Sequence, residues 1–429
     1  MAPKKTVTPA TTVSPSLSPA AELLSEKLRG WWWSKQALDR RLAGRSPREL
    51  LRETGWARSV GGVNPYLTIW SRGGGGRAAI DAAAAQREIL ELPSARGCTY
   101  VVPADDFALA LAVGASKGES ADVKLARKLG ASDEELSDLC DSIEKLVAKQ
   151  PRDPAELRAE LGDEIRSFGP EGKKRGLTST LTVALGMLQA AGRIHRVSVN
   201  GRFDQERYRY VAWKDNPLKK SKLDANYRDP EFAATELARR YFRWIGPATL
   251  GEFQWFSGFG VKVAKDAIAP LGLEPLTPGS DRLLLPDERE AWERFRPAKQ
   301  PQYALIGSLD GLSLLRRDLA GLLDPADRER QVHDGDSGLR AAGGLADLPS
   351  HALADRGRIV GFWEYDVERR ELVWLSFVKA TPALKAAVRA AEEFVRDELG
   401  DARTFSLDSP KSRGPRIAAL RAAALESRT

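Results

Sequence analysis

The sequence predicts an α+β protein: three tandem winged-helix (helix-turn-helix) modules, then a small strand-rich domain and a C-terminal helix. Residues 177–213 read as a helix, a strand, an Asn-Gly turn and a second strand, which is the pattern of a winged helix. Residues 231–271 hold helical segments separated by Gly246-Pro247 and a glycine-containing turn, which suits helix-turn-helix geometry. From residue 282 onward, short alternating segments predict a small β-barrel or an open sheet.

The first module is predicted over residues 21–118. Residues 1–20 are rich in Pro, Thr and Ser and lack the apolar stretch of a signal peptide, so we expect a disordered leader. Trp31, Trp32 and Trp33 separate two expected helices, at 21–28 and 34–42, and three consecutive residues cannot share one helical face. The further expected elements are a helix that starts at Ser46-Pro47, helices at 78–90 and 103–113, a helix or strand at 66–71, and a strand at 99–102.

The second module is predicted over residues 119–228. A Ser132-x-x-Glu135 capping box precedes a helix that runs to residue 149, and Asp153 caps another at 154–161. A helix at 177–191 leads into strands at 193–199 and 206–213, joined at Asn200-Gly201.

The third module is predicted over residues 229–280, with Thr249 capping its middle helix. The strand-rich domain covers residues 281–400, with strands at 282–285, 304–309, 359–365 and 371–378, an irregular stretch at 324–349 and a terminal helix from Pro382. Residues 401–429 form a basic tail that is expected to be partly helical.

Composition favours an anionic partner. The net charge of +7 and the pI of about 9.3 suit nucleic acid or an acidic surface. Two cysteines and three scattered histidines argue against a His/Cys zinc cluster, whereas composition alone leaves an Asp/Glu cation site open. No cofactor motif is present, and neither a metal nor a cofactor is expected. No apolar run reaches the ~18 residues of a membrane span. The sequence therefore predicts a soluble, cytoplasmic protein, expected to be a monomer.

Five stretches together carry a family resemblance: NPYLTIWSR at 64–72, RGCTYVVPADD at 96–106, IGPATLGEFQWFSG at 245–258, and both SLDGLSLLRRDLAGLLD and GRIVGFW in the last domain. In this order they resemble the winged-helix family that contains the AlkZ/YcaQ-type crosslink-repair DNA glycosylases. The resemblance implies three winged helices in a C-shape around DNA, closed by a β-barrel. It also implies double-stranded DNA as the partner, damaged or crosslinked DNA included, and a context of DNA repair.

The resemblance fails at the family's catalytic motif, Gln-x-Gln or Gln-x-Asp, which is not found in the corresponding window 54–62, TGWARSVGG. Gln36 and Asp39 lie upstream and are spaced three apart rather than two. Asp105, Asp106 and Asp310 could be carboxylates of a remodelled site or simply cap and turn residues. His195 lies within the predicted wing strand, where it could contact DNA or serve packing. The catalytic residues, if any, are therefore unknown.

The leading hypothesis is a protein that binds DNA through a basic concave face without cleaving the glycosidic bond. One alternative is an active, metal-independent monofunctional glycosylase with non-standard residues, and another is a transcription regulator. A solvated charged surface or structural ion pairs are the plainer interpretation of the same basic residues. The predicted DNA contacts are Arg58, Arg72, Arg96, Lys173, Lys174, Arg175, Arg193, Arg196 and Arg202.

Overall fold

The computed structural model describes residues 19–115, 120–205, 207–219, 226–334 and 338–426, so the predicted leader lies outside the described residues up to position 18. The helices are α1 Pro19–Lys35, α2 Pro47–Thr54, α3 Asn64–Ser71, α4 Arg77–Ala85, α5 Phe107–Ala115, α6 Ala121–Lys128, α7 Asp133–Lys149, α8 Pro154–Leu161, α9 Gly169–Lys174, α10 Thr180–Ala190, α11 Pro230–Ile245, α12 Leu250–Ser257, α13 Val261–Ile268, α14 Arg289–Arg294, α15 Gly311–Leu314, α16 Leu319–Leu322, α17 Pro382–Glu393 and α18 Pro410–Glu426.

The strands are short. They are β1 Ala57–Arg58, β2 Ile89–Pro93, β3 Thr99–Pro103, β4 Ile194–Ser198, β5 Tyr208–Ala212, β6 Ala248–Thr249, β7 Glu274–Pro275, β8 Arg282–Leu284, β9 Tyr303–Ile306, β10 Gln331–His333, β11 Leu339–Ala341, β12 His351–Asp355, β13 Arg358–Asp366 and β14 Glu371–Ser376.

Helix α1 runs through the three tryptophans, so the predicted break there and the predicted second helix at 34–42 were wrong. All three indoles are buried, and each ring N–H donates to a different distant acceptor. Trp31 and Trp32 donate to the carbonyls of Gly246 and Pro247, and Trp33 donates to the side chain of Gln302. Successive helical residues point about 100° apart, so α1 can bury all three only because protein surrounds it.

The first unit, α2–α5 with β1–β3, contains an antiparallel sheet in the order β1-β3-β2. Strand β2 was not predicted, because its residues continue an alanine-rich helical pattern. Helix α4 instead ends at Ala85, and a turn leads into β2. This strand matters for the site, since it brings Glu91 into the protein interior.

The second unit, α6–α10 with β4 and β5, follows the predicted order of helix α10 and then a hairpin. The predicted two-residue Asn-Gly turn was wrong, because β4 ends at Ser198 and β5 begins only at Tyr208, with Asn200-Gly201 near the start of the connection. The hairpin packs against the first unit: the backbone N–H of Phe203 donates to the Tyr66 hydroxyl, and the two rings lie 6.1 Å apart. The hairpin β4–β5 of the second unit is therefore fixed against the first unit.

The third unit contains α11–α13 and a three-stranded sheet in the order β6-β8-β7. The strand predicted at 282–285 exists as β8, but it pairs with strands of this unit and not with those of the following domain. The third unit consequently extends past the predicted boundary at residue 280.

The last domain is built on an antiparallel sheet in the order β14-β13-β12-β9, with β14 and β9 at its edges. Among the described residues this is the open-sheet alternative, not a closed barrel. The stretch predicted to be irregular contains the hairpin β10–β11. The basic tail forms α18, which packs on β13 and β14, and Arg416 of this helix is paired with the buried Glu364.

Candidate nucleic-acid interface

The turn between α9 and α10 exposes three of the predicted contact residues. Lys173, Lys174 and Arg175 are all exposed at the end of α9, where Gly176 adopts a φ of 79° and reverses the chain. Arg175 pairs with Glu171 one helical turn earlier, and both side chains remain more than half exposed. Exposed pairs of this kind contribute little and exchange readily with other anions.

Helix α6 adds two lysines that the sequence analysis missed. Lys124 and Lys128 are exposed on α6, whose apolar residues share a small core with Phe168, Leu177 and Val183 of the α9–α10 region. The signal for this helix was present: Ser120 caps α6 by accepting from the backbone N–H of Val123. The basic side chains of α6 and of the turn thus belong to one packed unit.

The predicted contacts on the hairpin are engaged within the protein. Arg193 bonds to both Asp141 and Glu144 of α7, and the hydrogen bond with Glu144 is the main cause that raises its pKa. Arg196 Nε lies 2.9 Å from Oε2 of the buried Glu91. Arg202 pairs with Asp204 and donates to the Leu399 carbonyl, which joins the hairpin to the end of the last domain.

Arg72 lies in a buried network that also contains two proposed catalytic candidates. Its guanidinium is 1% exposed and makes a two-pronged contact with Asp310, at 2.7 and 3.0 Å. It also donates to Gln36 Oε1 at 2.8 Å. The Gln36 amide nitrogen donates in turn to the carbonyls of Thr54 and Trp244. Arg72 is thus a structural residue in this conformation, and its partner Asp310 comes from the last domain rather than from the first module.

Gly311 shows how closely this network is packed. A Cβ at this position would lie 2.6 Å from Gln36 Oε1, so a side chain there would displace the amide. Both N–H groups of the Gln36 amide and one lone pair of its oxygen are therefore used by protein groups in this conformation.

Arg58 and Arg96 occupy neighbouring positions at the edge of the first sheet. Arg58 donates to the Thr99 carbonyl at 2.6 Å and lies over the Tyr100 ring. Arg96, with a φ of 58°, stacks on Trp255 of the third unit at 3.2 Å from the ring centroid. Arg317 of the last domain lies 4.0 Å from the same ring centroid. Three parts of the chain therefore meet at Trp255.

The window 54–62, where the catalytic motif was expected, contributes a tryptophan that contacts a carboxylate. Trp56 is buried, and its ring N–H donates to Asp106 Oδ2 at 2.9 Å. Burial raises the pKa of Asp106, although Arg240 lies 3.1 Å away and opposes the shift. The neighbouring Asp105 faces outward, and the hydrogen bond from Arg48 lowers its pKa.

His195, the remaining candidate, lies on β4 with its ring 5.1 Å from that of Trp213, and it is 3% exposed. Within the described residues, no group of three or more His, Cys, Asp and Glu side chains is arranged to hold a metal ion. No helix in the described ranges is long and apolar enough to cross a membrane. Cys98 and Cys140 are free thiols.

Comparison with known proteins gives a family and a fold. The model of the family described as "DNA glycosylase AlkZ-like" matches residues 62–405. The solved structure of the Streptomyces sahachiroi DNA glycosylase AlkZ is similar with a TM-score of 0.64 and 18% sequence identity, over 89% of this chain and 98% of that chain. At this identity the structural likeness shows the fold alone. No curated protein sequence matches the chain significantly.

Proposed function

The chain belongs to the AlkZ-like DNA glycosylase family, and on that premise we propose that it binds duplex DNA, including damaged or crosslinked DNA, in a context of DNA repair. The observation that carries this proposal is a set of exposed basic side chains on two packed parts of the second unit. These are Lys124 and Lys128 of α6, and Lys173, Lys174 and Arg175 at the end of α9. Cationic side chains of this kind release counterions from the phosphate backbone when they bind DNA.

The proposal includes the architecture that the family resemblance implies. Each of the three helical units, with its short strands, acts as a winged helix, and together they contact the duplex along its backbone. Contacts of this kind position a protein on DNA without reading sequence. The chain is proposed to act as a cytoplasmic monomer.

The proposal further holds that binding proceeds without base release. A glycosylase must stabilise a positively charged sugar and position water, which requires an available amide or carboxylate. Gln36 and Asp310 supply such groups, but both are bonded to the buried Arg72. Asp106 is likewise enclosed, between Trp56 and Arg240.

The binding proposal is tested by the salt dependence of duplex affinity. We expect the logarithm of the association constant to fall linearly with the logarithm of salt concentration, by about 0.9 for each phosphate contacted. Replacing Lys173, Lys174 and Arg175 together by Ala should reduce that slope by up to roughly 2.7. Arg158, exposed on α8, is the control, and Arg158→Ala should leave the slope unchanged. An unchanged slope in the triple variant rejects this surface.

Active base excision is the second candidate function, and membership of a glycosylase family favours it. A base-release assay on alkylated and on crosslinked duplexes decides between the two. We expect the damaged base to be released no faster in the presence of the protein than in its absence. Release above that rate, abolished by Asp106→Asn but unaffected by Arg158→Ala, would replace the non-cleaving proposal with a glycosylase that uses Asp106.

A further inference from the structure

A cavity of about 360 Å³ lies between the first unit and the hairpin β4–β5, and none of the basic residues that carry the proposed function lines it. The end of α4 and strand β2 form one wall, and the hairpin forms the other. Its volume lies near the lower end of the range for small-molecule sites, which are typically about 300–1,000 Å³. Most of the lining is apolar, with two aromatic rings, Phe203 and Tyr208.

His195 is a polar group that lines this cavity without a protein partner. It is 3% exposed, and neither of its ring nitrogens has a hydrogen-bond partner among the described residues. Burial lowers the pKa of His195 to about 4, so the ring is neutral at pH 7 and carries one donor and one acceptor. Buried polar groups are nearly always hydrogen-bonded, and an exception calls for an explanation. Both ring nitrogens are themselves covered by the cavity wall, so a ligand reaches them only when that wall shifts.

An ion pair and two basic residues complete the lining. Glu91 is buried, accepts from the Ser59 hydroxyl and pairs with Arg196, whose guanidinium lies 4.3 Å from the Tyr208 ring centroid. Arg87 and Lys214 also line the cavity and are exposed, so they belong to its mouth. The interior thus offers flat apolar walls with a few hydrogen-bonding groups, and the mouth offers positive charge.

We propose that this cavity binds the base of a nucleotide, with the heterocycle between the aromatic and aliphatic walls and the phosphate at Arg87 and Lys214. Sites that accept extruded bases combine these elements: ring contacts to aromatic and apolar side chains, and hydrogen bonds to the polar edge of the base. The nucleotide has two possible sources, a free mononucleotide or a base extruded from DNA. Only the second source rests on the proposed function.

Two binding measurements distinguish the sources. The first is calorimetric titration with 2′-deoxyadenosine monophosphate. The second compares the affinity for a duplex with one unpaired adenine with that for the fully paired duplex. The blocking variant is Ala85→Phe, because Ala85 is exposed at the end of α4 and lines the cavity. Ala82→Phe is the matched control, since Ala82 is exposed on the same helix but does not line the cavity.

We expect Ala85→Phe to weaken mononucleotide binding at least tenfold, or to abolish the preference for the duplex with the unpaired adenine. One lost base–aromatic stack is worth ~1–3 kcal/mol, and 1.4 kcal/mol corresponds to a tenfold change in affinity. Ala82→Phe should change neither measurement by more than about twofold. An effect on the mononucleotide alone identifies a free nucleotide as the ligand, and an effect on the preference alone identifies an extruded base.

A second variant keeps the test valid if Ala85→Phe does not fold. Arg87→Ala should weaken binding of the monophosphate and leave binding of deoxyadenosine unchanged, since the nucleoside lacks the phosphate. The proposal is overturned if millimolar mononucleotide does not bind and the duplexes bind equally, or if Ala85→Phe changes neither measurement. Affinity for the fully paired duplex distinguishes this failure from failure of the proposed function. It stays intact if only the cavity proposal is wrong, and it is absent if the protein does not bind DNA.

Discussion

The turn between α9 and α10 and the hairpin β4–β5 belong to the same unit and are both rich in basic residues, but they use their charges differently. The turn leaves Lys173 and Lys174 exposed, and Arg175 has only an exposed partner on its own helix. On the hairpin, Arg193, Arg196 and Arg202 each contact a carboxylate. Density of positive charge in a sequence therefore does not by itself indicate an anion-binding surface, because the fold can supply the anions from its own carboxylates.

The largest expected effect is on the free energy of unfolding, when a buried ion pair and an exposed one are compared. The buried pair is Arg72–Asp310 and the exposed pair is Arg175–Glu171. Arg72→Met should lower the free energy of unfolding by about 3–5 kcal/mol, because Asp310 is left buried without its partner. Arg175→Met, at an exposed pair, should change it by less than ~1 kcal/mol. Urea denaturation measures both. Equal effects would mean that the Arg72 network contributes no more than a surface pair.

The next effect separates the hairpin from the turn. Arg202→Ala should lower the free energy of unfolding by about 1–3 kcal/mol, because Asp204 and the Leu399 carbonyl lose a charged donor. It should leave the salt slope of duplex binding unchanged. The triple alanine variant of the turn should behave in the opposite way, with a smaller slope and unchanged stability. A reduced slope for Arg202→Ala would assign the hairpin to the DNA surface after all.

A pH effect is expected at the buried strand of the hairpin. The folded-state pKa of His195 is lowered to about 4, below its usual 6.5, so the unfolded chain binds the proton more tightly. The neutral ring stabilises the fold above about pH 6.5, and this contribution is lost as the pH falls towards 4. NMR of the three histidine rings, assigned by single substitutions, measures this directly. A His195 titration midpoint near 6.5 would contradict it.

The smallest effect is expected at Asp105, whose pKa is lowered mainly by the hydrogen bond from Arg48. A lowered carboxylate pKa stabilises the fold above the unfolded value of about 3.9 and is lost as the pH falls through the folded value. Arg48→Ala should therefore cost ~0.2–1 kcal/mol at pH 7, and less at pH 4 and below. Thermal melting across this pH range measures the difference. A difference that stays constant with pH would point to packing by Arg48 instead.

The sequence predicted elements whose signals are local. Helix α10 and its hairpin follow from residues 177–213, where the helical pattern and the alternating strands are contiguous. Helix α8 follows from the Asp153 cap. By contrast, β2 and the continuation of α1 through the tryptophans depend on surrounding protein. Tertiary packing overrides local preference at such places.

The candidate site also contains residues that the local sequence predicts and contacts that depend on tertiary packing. Exposure of Lys173 and Lys174 agrees with their position at the end of the short polar helix α9, close to Gly176. The pairing of Arg72 with Asp310 joins positions 238 residues apart, and Glu91 meets Arg196 across two units. Neither partner could be identified from spacing, because the contact exists only after the units have packed.

The three indoles of α1 have a consequence for how this chain tolerates change. Their acceptors lie before β6 and before β9, so one helix anchors two distant stretches of backbone. A single-residue insertion before Trp31 would rotate the three indoles by about 100° relative to the start of α1, so the helix could not keep its contacts at both ends. Natural variation in length is therefore expected to be excluded from this helix and to accumulate in surface turns.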